Sequence, residues 1–130
     1  MFWLSFNYDP FCSPNFAYAF EKNNTGYFGK GISLVKYTGA RGKSGASEAP
    51  AEFIAEVRKT FDEAGVPYQS SDMGRVDLGG GGTIAVCFSQ RGMTVLDCGV
   101  PVLAMHSPYE ITSKFDVYKA YKAYEAFYKI

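Results

Sequence analysis

Short apolar runs alternate along the chain with longer segments in which apolar residues recur every three or four positions. The runs Phe2–Phe6, 32–37 and 93–96 are predicted to be strands, because short and nearly continuous apolar runs are typical of strands buried on both faces. Two weaker extended segments are predicted at 66–70 and 100–105. The pattern therefore indicates several strands separated by helical segments.

The clearest helical pattern lies in the middle of the chain. Ser47 is expected to cap this helix, and Gly65 is expected to end it. Its apolar stripe consists of Phe53, Ile54, Val57 and Phe61. Shorter helices are predicted at 16–22 and 83–90.

A last helix is predicted from Ser113 to the end of the chain. Ser113 and Asp116 resemble a capping box in which aspartate replaces glutamate. The predicted apolar stripe of this helix is Val117, Ala120, Tyr121, Tyr124 and Phe127. Aromatic residues make up 17% of the chain, so we expect most of these rings in the core and the rest at an interface.

Strands that alternate with helices predict an α/β fold. We expect three layers, in which helices cover both faces of a mostly parallel sheet. The length of 130 residues suits one domain. Binding sites in such folds form at the carboxyl ends of strands, which makes the residues at or beyond those ends candidates for function. These residues are Asn7, Lys36, Asp97 and His106.

Charge and composition limit the partners of the chain. Thirteen basic and 13 acidic residues balance, which argues against a nucleic-acid partner or an anionic membrane surface. The apolar opening is too short for a signal peptide or a membrane span. The three cysteines lack C-x-x-C spacing, so neither a disulfide framework nor a structural zinc site is indicated, and a reducing, cytoplasmic location is expected.

Two glycine-rich segments suggest phosphate binding. The sequence Gly-Lys-Ser at 42–44 matches the end of a P-loop, but Tyr37 stands where a P-loop requires its first glycine. We therefore favour a loop of small residues at 38–45 that lets substrate or backbone approach. The four glycines at 79–82 suit either an anion or close packing of the following helix on the sheet.

His106 and Asp97 each have two interpretations. His106 is the only histidine, and a zinc site needs roughly three or four ligands, so His106 is either a metal ligand or a loop residue bonded to backbone. Asp97 is either catalytic or, more commonly for such a position, an acceptor for the backbone N–H groups that follow it. The residue pattern alone does not decide between the two interpretations of either residue.

Several motifs resemble one known family. Residues 77–85 read Asp-Leu-Gly-Gly-Gly-Gly-Thr-Ile-Ala, and residues 105–110 read Met-His-Ser-Pro-Tyr-Glu. Together with Pro-Asn-Phe at 14–16 and Leu-Val-Lys at 34–36, they are similar to the carboxyl-terminal segment of the zinc aminopeptidase family of aspartyl aminopeptidase and vacuolar aminopeptidase I, especially its bacterial members. The resemblance covers nearly the whole chain and implies one partial catalytic domain over 1–130.

The resemblance implies a two-zinc exopeptidase that removes amino-terminal residues from peptides, with a glutamate as general base. It assigns His106 as a zinc ligand and places Lys36 near the substrate. Asn7 aligns with an aspartate that binds zinc in the family, and asparagine is a poorer zinc ligand. The other zinc ligands and the oligomerisation domain of the family are expected upstream of Met1, so this chain alone is expected to bind zinc weakly at most.

Three functions are therefore distinguished. The first is a carboxyl-terminal piece of a zinc aminopeptidase, incomplete for catalysis alone, whose partners are peptide substrates and either further copies of itself or an upstream catalytic half. The second is a noncatalytic binding or assembly module whose exposed aromatic side chains pair with a full-length relative. The third is phosphate or nucleotide binding by the glycine-rich loops.

Overall fold

The computed structural model describes residues 2–6, 9–10, 14–40, 44–72, 74–75 and 80–129. Its central sheet has four strands, which in spatial order are β1 (Phe2–Phe6), β8 (Thr94–Gly99), β3 (Ile32–Val35) and β6 (Tyr68–Ser71). β1 runs parallel to β8, and β3 runs parallel to β6, whereas β3 and β8 are antiparallel. Parallel pairing thus predominates in this sheet, as predicted.

Helices lie on both faces of this sheet. The helices α1 (Ala51–Glu63) and α3 (Lys114–Phe127) share one hydrophobic core with β3 and β8. Because successive side chains of a strand point to opposite faces, Leu96 and Cys98 of β8 face that core, while Asp97 faces the other side. The short helix α2 (Ala85–Ser89) contacts β8 on that other side. The predicted three-layer α/β fold is confirmed.

Two small sheets flank the central one. In the first, β9 (Pro101–Leu103) is parallel to β2 (Asp9–Pro10) and antiparallel to β10 (Ile111–Thr112). In the second, β4 (Tyr37–Ala40) lies between β5 (Ser44–Glu48) and β7 (Gly80–Gly81) and is antiparallel to both.

The second small sheet corrects the predicted loop at 38–45. The predicted strand at 32–37 is divided at Lys36 into β3 and β4, and β4 pairs with β5 across residues assigned to the loop. Small residues have low strand propensity, so the pattern suggested a loop. β4 and β5 are held together by hydrogen bonds between their backbones. The spacing of hydrophobic residues does not indicate such bonds, so the pattern did not predict these strands.

α1 confirms the central helix but not its predicted cap. The buried side chains of α1 are Phe53, Val57 and Phe61. The helix ends before Gly65, which has a positive φ of 64°. Ser47 lies in β5, where its hydroxyl is 2.7 Å from that of Thr38, and Pro50 occupies the N-cap position. The expectation that Ser47 caps the helix was therefore wrong.

α3 begins as predicted, but its buried face matches the predicted stripe only in part. Ala120 and Phe127 of that stripe pack against the core. The Ser113 hydroxyl accepts a hydrogen bond from the Asp116 N–H at 3.4 Å, which confirms the cap. Val117 and Tyr121, predicted in the buried stripe, are 47% and 60% exposed. The buried positions of the helix are Asp116, Ala123 and Ala126. Small alanine side chains let α3 approach its neighbours closely, and a search for large apolar residues overlooks such a face.

The remaining elements differ from prediction mainly in their bounds. A kinked 3₁₀ helix covers Pro14–Ala19, where a helix was predicted at 16–22. α2 is shorter than the predicted helix at 83–90, and β8 runs three residues beyond the predicted 93–96. Within the described ranges, no helix is long and apolar enough to cross a lipid bilayer.

Candidate functional site

His106 lies on the hairpin that joins β9 to β10. Ile111 pairs with Leu103, so residues 104–110 form the connecting loop, and the His106 side chain is exposed on it. His106 and Ala104 have positive φ angles of 67° and 59°. Left-handed backbone at residues other than glycine costs about 1 kcal/mol or more and is concentrated at functional sites.

Hydrogen bonds inside the loop hold this conformation. The Glu110 Oε1 atom accepts a hydrogen bond from the backbone N–H of His106 at 2.5 Å. The Ser107 N–H donates to the Ala104 carbonyl at 3.0 Å, and the Ser107 hydroxyl donates to the Tyr109 carbonyl at 2.8 Å. The loop thus presents an imidazole from a backbone of defined shape.

Lys36 lies at the junction of β3 and β4, at the carboxyl end of β3 as predicted. Its Nζ atom is 3.2 Å from Glu48 Oε1 and 4.9 Å from the centroid of the Tyr37 ring. The interaction with Tyr37, followed by that with Glu48, raises the pKa of Lys36 above its usual value. Lys36 is therefore a fixed positive charge at neutral pH.

Lys36 also lines a cavity of about 370 Å³ between α1 and the carboxyl ends of β3 and β6. Arg58 and Asp72 contribute further charged groups to the wall, and Leu34 contributes an apolar surface. The Ser71 hydroxyl, which belongs to the same lining, is buried and has no hydrogen-bond partner among the described residues. The cavity offers a polar ligand the cationic groups of Lys36 and Arg58.

Asp97 is buried at the centre of β8 and accepts a hydrogen bond from the Thr83 hydroxyl at 2.6 Å. The same hydroxyl accepts from the backbone N–H of Ala85 at 3.2 Å. Asp97 therefore anchors the segment that follows the glycines, a partner that the sequence did not identify. On the opposite face, burial and then the nearby Asp97 charge raise the pKa of the Cys98 thiol well above its usual value, so this thiol is unreactive.

The described parts of the two glycine-rich segments do not match the P-loop alternative. In a P-loop the Gly-Lys-Ser sequence leads into a helix, but Ser44 begins β5 here. Gly80 and Gly81 form β7 and pair with β4, so that part of the glycine run is sheet. Residues 41–43 and 76–79 lie outside the described part of the chain.

The described residues do not complete a zinc site. They contain no group of three or more histidine, cysteine, aspartate or glutamate side chains that could hold a metal ion. His106 supplies one nitrogen donor, whereas zinc takes roughly three or four ligands. Asn7, the second predicted ligand position, lies outside the described residues.

Solved structures place this fold among aminopeptidase domains. Aminopeptidase I from Clostridium acetobutylicum superimposes with a TM-score of 0.90, at 48% identity, over 95% of this chain and 27% of that chain. The M18 aminopeptidase from Thermotoga maritima gives a TM-score of 0.92, at 45% identity, over 96% of this chain and 28% of that chain. A dodecamer of the yeast protein mApe1 gives 0.76, at 25% identity, over 98% of this chain and 26% of that chain.

Sequence comparison identifies the family. Residues 2–128 match the family model described as aminopeptidase I zinc metalloprotease (M18). The chain belongs to this M18 family of zinc metalloproteases, which confirms the resemblance seen in the motifs. A probable M18 family aminopeptidase 1 of Clostridium acetobutylicum is 50% identical over 114 residues, which are 88% of this chain and 24% of the relative. The chain thus spans about a quarter of the relatives that it matches.

Two residues of this site have a role that the sequence did not suggest. Glu110 was part of a recognised motif, but only its distance to the His106 N–H shows what it does. Arg58 lies on α1, one position after the buried Val57, and no sequence pattern marked it as a candidate for the cavity wall. Neither the hairpin bond nor the cavity has a local sequence signal.

Proposed function

We propose that this chain is a partial catalytic domain, residues 1–130, of a zinc aminopeptidase that removes amino-terminal residues from peptides. It contributes one wall of the active site and one zinc ligand, His106, and it does not hydrolyse peptides by itself. The observation that carries the proposal is the hairpin loop that presents the exposed His106 from a left-handed backbone in a chain of the M18 family. The coverage of only a quarter of each relative supports the incompleteness.

Lys36 is proposed to contact the substrate. Its ammonium is held at the wall of the 370 Å³ cavity by Glu48 and Tyr37, and Arg58 adds a second positive charge there. A fixed cation of this kind orients an oxygen of a peptide substrate through a charge-assisted hydrogen bond. Asn7 remains the proposed position of a second, weaker ligand.

The first prediction concerns the purified chain. With added zinc it is expected to show no aminopeptidase activity above background and to bind fewer than two zinc ions per chain, because its described residues offer a single histidine donor. Metal analysis after dialysis and a chromogenic peptide assay measure both quantities. Tight binding of two zinc ions per chain contradicts the proposal.

Reconstitution separates the two leading functions. The chain is mixed with the remaining portion of the Clostridium acetobutylicum relative, and activity is expected only in the mixture. Binding without activity, detected by size-exclusion chromatography, instead favours an assembly module. The aromatic surface formed by α3 and its C-cap residue supports that second function, since Tyr118, Tyr121 and Tyr128 are 55%, 60% and 79% exposed. A homo-oligomer is proposed on the same surface, because a solved relative is a dodecamer.

The second prediction concerns Lys36. In the reconstituted mixture, Lys36→Met is expected to raise KM by about 10-fold, since a hydrogen bond to a charged group contributes roughly 1.5–3 kcal/mol. Lys36→Arg keeps the charge and is expected to raise KM less. Steady-state kinetics measure the effect, and Lys59→Met, an exposed lysine on α1 outside the cavity lining, is the matched control. Equal KM values for Lys36→Met and the control exclude Lys36 from the substrate site.

A further inference from the structure

The backbone at His106 has to be held by specific contacts. Among the described residues, Ala104 and His106 are the only ones other than glycine with positive φ angles. Such conformations persist only where the surrounding structure enforces them. The strands β9 and β10 fix the two ends of the loop, but they do not determine the conformation of residue 106 at its centre.

Glu110 supplies the contact that reaches His106. It stands immediately before β10, so its backbone is fixed by the pairing of Ile111 with Leu103. From there its carboxylate reaches back across the loop and accepts a hydrogen bond from the His106 N–H at 2.5 Å. A carboxylate acceptor makes a shorter and stronger hydrogen bond to N–H than a neutral group does.

The other hydrogen bonds described for this loop stabilise it without engaging His106. The Ser107 N–H donates to the Ala104 carbonyl, and the Ser107 hydroxyl bonds to the backbone of Tyr109. The first bond closes a four-residue turn, 104–107, that contains His106, and the Ser107 hydroxyl stabilises the segment that follows it. The turn limits the backbone of His106, and among the described residues Glu110 supplies the side-chain contact to the His106 N–H itself.

We propose that Glu110 is a positioning residue for His106. Its carboxylate holds the left-handed backbone of residue 106 and so orients the imidazole before any ligand arrives. Side chains that orient a metal ligand change metal affinity typically by about 10–100-fold when they are removed. The metal-binding part of this inference rests on the proposed function, whereas the backbone part does not need a metal.

The test uses the full chain labelled with ¹⁵N and compares three variants. Glu110→Ala removes the acceptor, Glu110→Gln keeps an oxygen that can accept the same N–H, and Glu56→Ala removes an exposed glutamate of α1 as the control. Far-UV circular dichroism first checks that each variant is folded. The primary measurement is the His106 amide proton, observed by its chemical shift and its hydrogen exchange rate.

In Glu110→Ala, the amide proton of His106 is expected to shift upfield and to exchange at least about 10-fold faster, because its hydrogen bond is lost. Glu110→Gln is expected to restore most of the protection, and the control is expected to match the native chain. Unchanged amide behaviour in Glu110→Ala overturns the proposal. Equal disruption by Glu110→Gln and Glu110→Ala also overturns it, because an acceptor at this position would then not be sufficient.

A zinc titration of the same samples separates this proposal from the proposed function. The His106 ring resonances are expected to respond to zinc, with an apparent Kd that is about 10-fold weaker in Glu110→Ala than in the native chain. An equal Kd in the two proteins overturns positioning of the metal ligand. If the native ring does not respond to millimolar zinc, the metal role of His106 fails, while the amide data still decide the backbone role of Glu110.

Discussion

Replacing Gly31 with alanine is expected to cost about 4 kcal/mol or more of unfolding free energy, which places it among the most damaging single substitutions. A Cβ atom at Gly31 would lie 2.0 Å from the carbonyl oxygen of Pro67. That oxygen cannot move away freely, because it accepts a hydrogen bond from the Ile32 N–H at 3.2 Å. The φ of 89° at Gly31 adds strain for any residue with a side chain.

Gly29→Ala is the matched control for this substitution. Gly29 also has a positive φ, 75°, but no heavy atom lies within 4 Å of the position of its Cβ atom. Its replacement is expected to cost about 1 kcal/mol, from backbone strain alone. Urea unfolding followed by circular dichroism measures both variants. A difference of less than about 1 kcal/mol between them would show that the approach of Pro67 does not restrict residue 31.

The helix α1 could be predicted from sequence, because its buried residues are large and apolar. Phe53, Val57 and Phe61 recur with helical spacing and pack into the core between α1 and the central sheet. In α3 the relation between size and burial is reversed. Ala123 and Ala126 are buried, and the larger Tyr121 is exposed. Since Ala120 and Phe127 do pack against the core, the periodic pattern indicates the helix and only part of its buried face.

The sequence predicted where His106 lies relative to the strands, but not the backbone conformation or the hydrogen bonds of its loop. The motif placed His106 beyond a strand, and it lies in the loop that follows β9. The left-handed backbone at His106 and the hydrogen bond that its N–H donates to Glu110 are features of the folded loop, and no local sequence pattern encodes them. The partner of Asp97 was missed for the same reason, since Thr83 is 14 residues away in sequence.

The two candidate functional regions belong to different parts of the fold. His106 projects from the small sheet built around β9, whereas Lys36 lies where the central sheet passes into β4. Both follow strands, as expected for an α/β fold. Each is held by its own acidic partner, Glu110 for His106 and Glu48 for Lys36. The fold therefore fixes two separate candidate segments, each through an ionic or hydrogen-bonding contact of its own.

The other large expected effect concerns Asp116, at the start of α3. Its carboxylate is fully buried and accepts hydrogen bonds from the Gly29 N–H at 2.8 Å and the Gly31 N–H at 2.9 Å. Asp116→Ala leaves both N–H groups without this acceptor. The expected loss is roughly 3 kcal/mol of unfolding free energy, since an unsatisfied buried donor costs about 1–3 kcal/mol.

Two further variants identify the cause of that loss. Asp116→Asn keeps one acceptor oxygen and is expected to cost less than Asp116→Ala. Ser113→Ala removes only the helix cap, a bond of 3.4 Å, and is expected to cost about 1 kcal/mol. Urea unfolding measures all three variants, and hydrogen exchange at Gly29 and Gly31 reports the freed donors. A loss in Asp116→Ala no larger than that in Ser113→Ala would mean that the carboxylate contributes little beyond the cap.

Asp116 and Gly31 are also expected to act on each other. The Gly31 N–H donates a hydrogen bond to Asp116, and the α-carbon of Gly31 packs closely against the backbone of Pro67. Gly31 therefore links the start of α3 to the start of β3. Either substitution weakens the contact between Gly31 and Asp116, and the stability effects of substitutions at residues in direct contact are not additive. The double variant Gly31→Ala, Asp116→Ala is therefore expected to lose less stability than the sum of the two single variants. Additive losses would show that the loop before β3 and the start of α3 are stabilised independently.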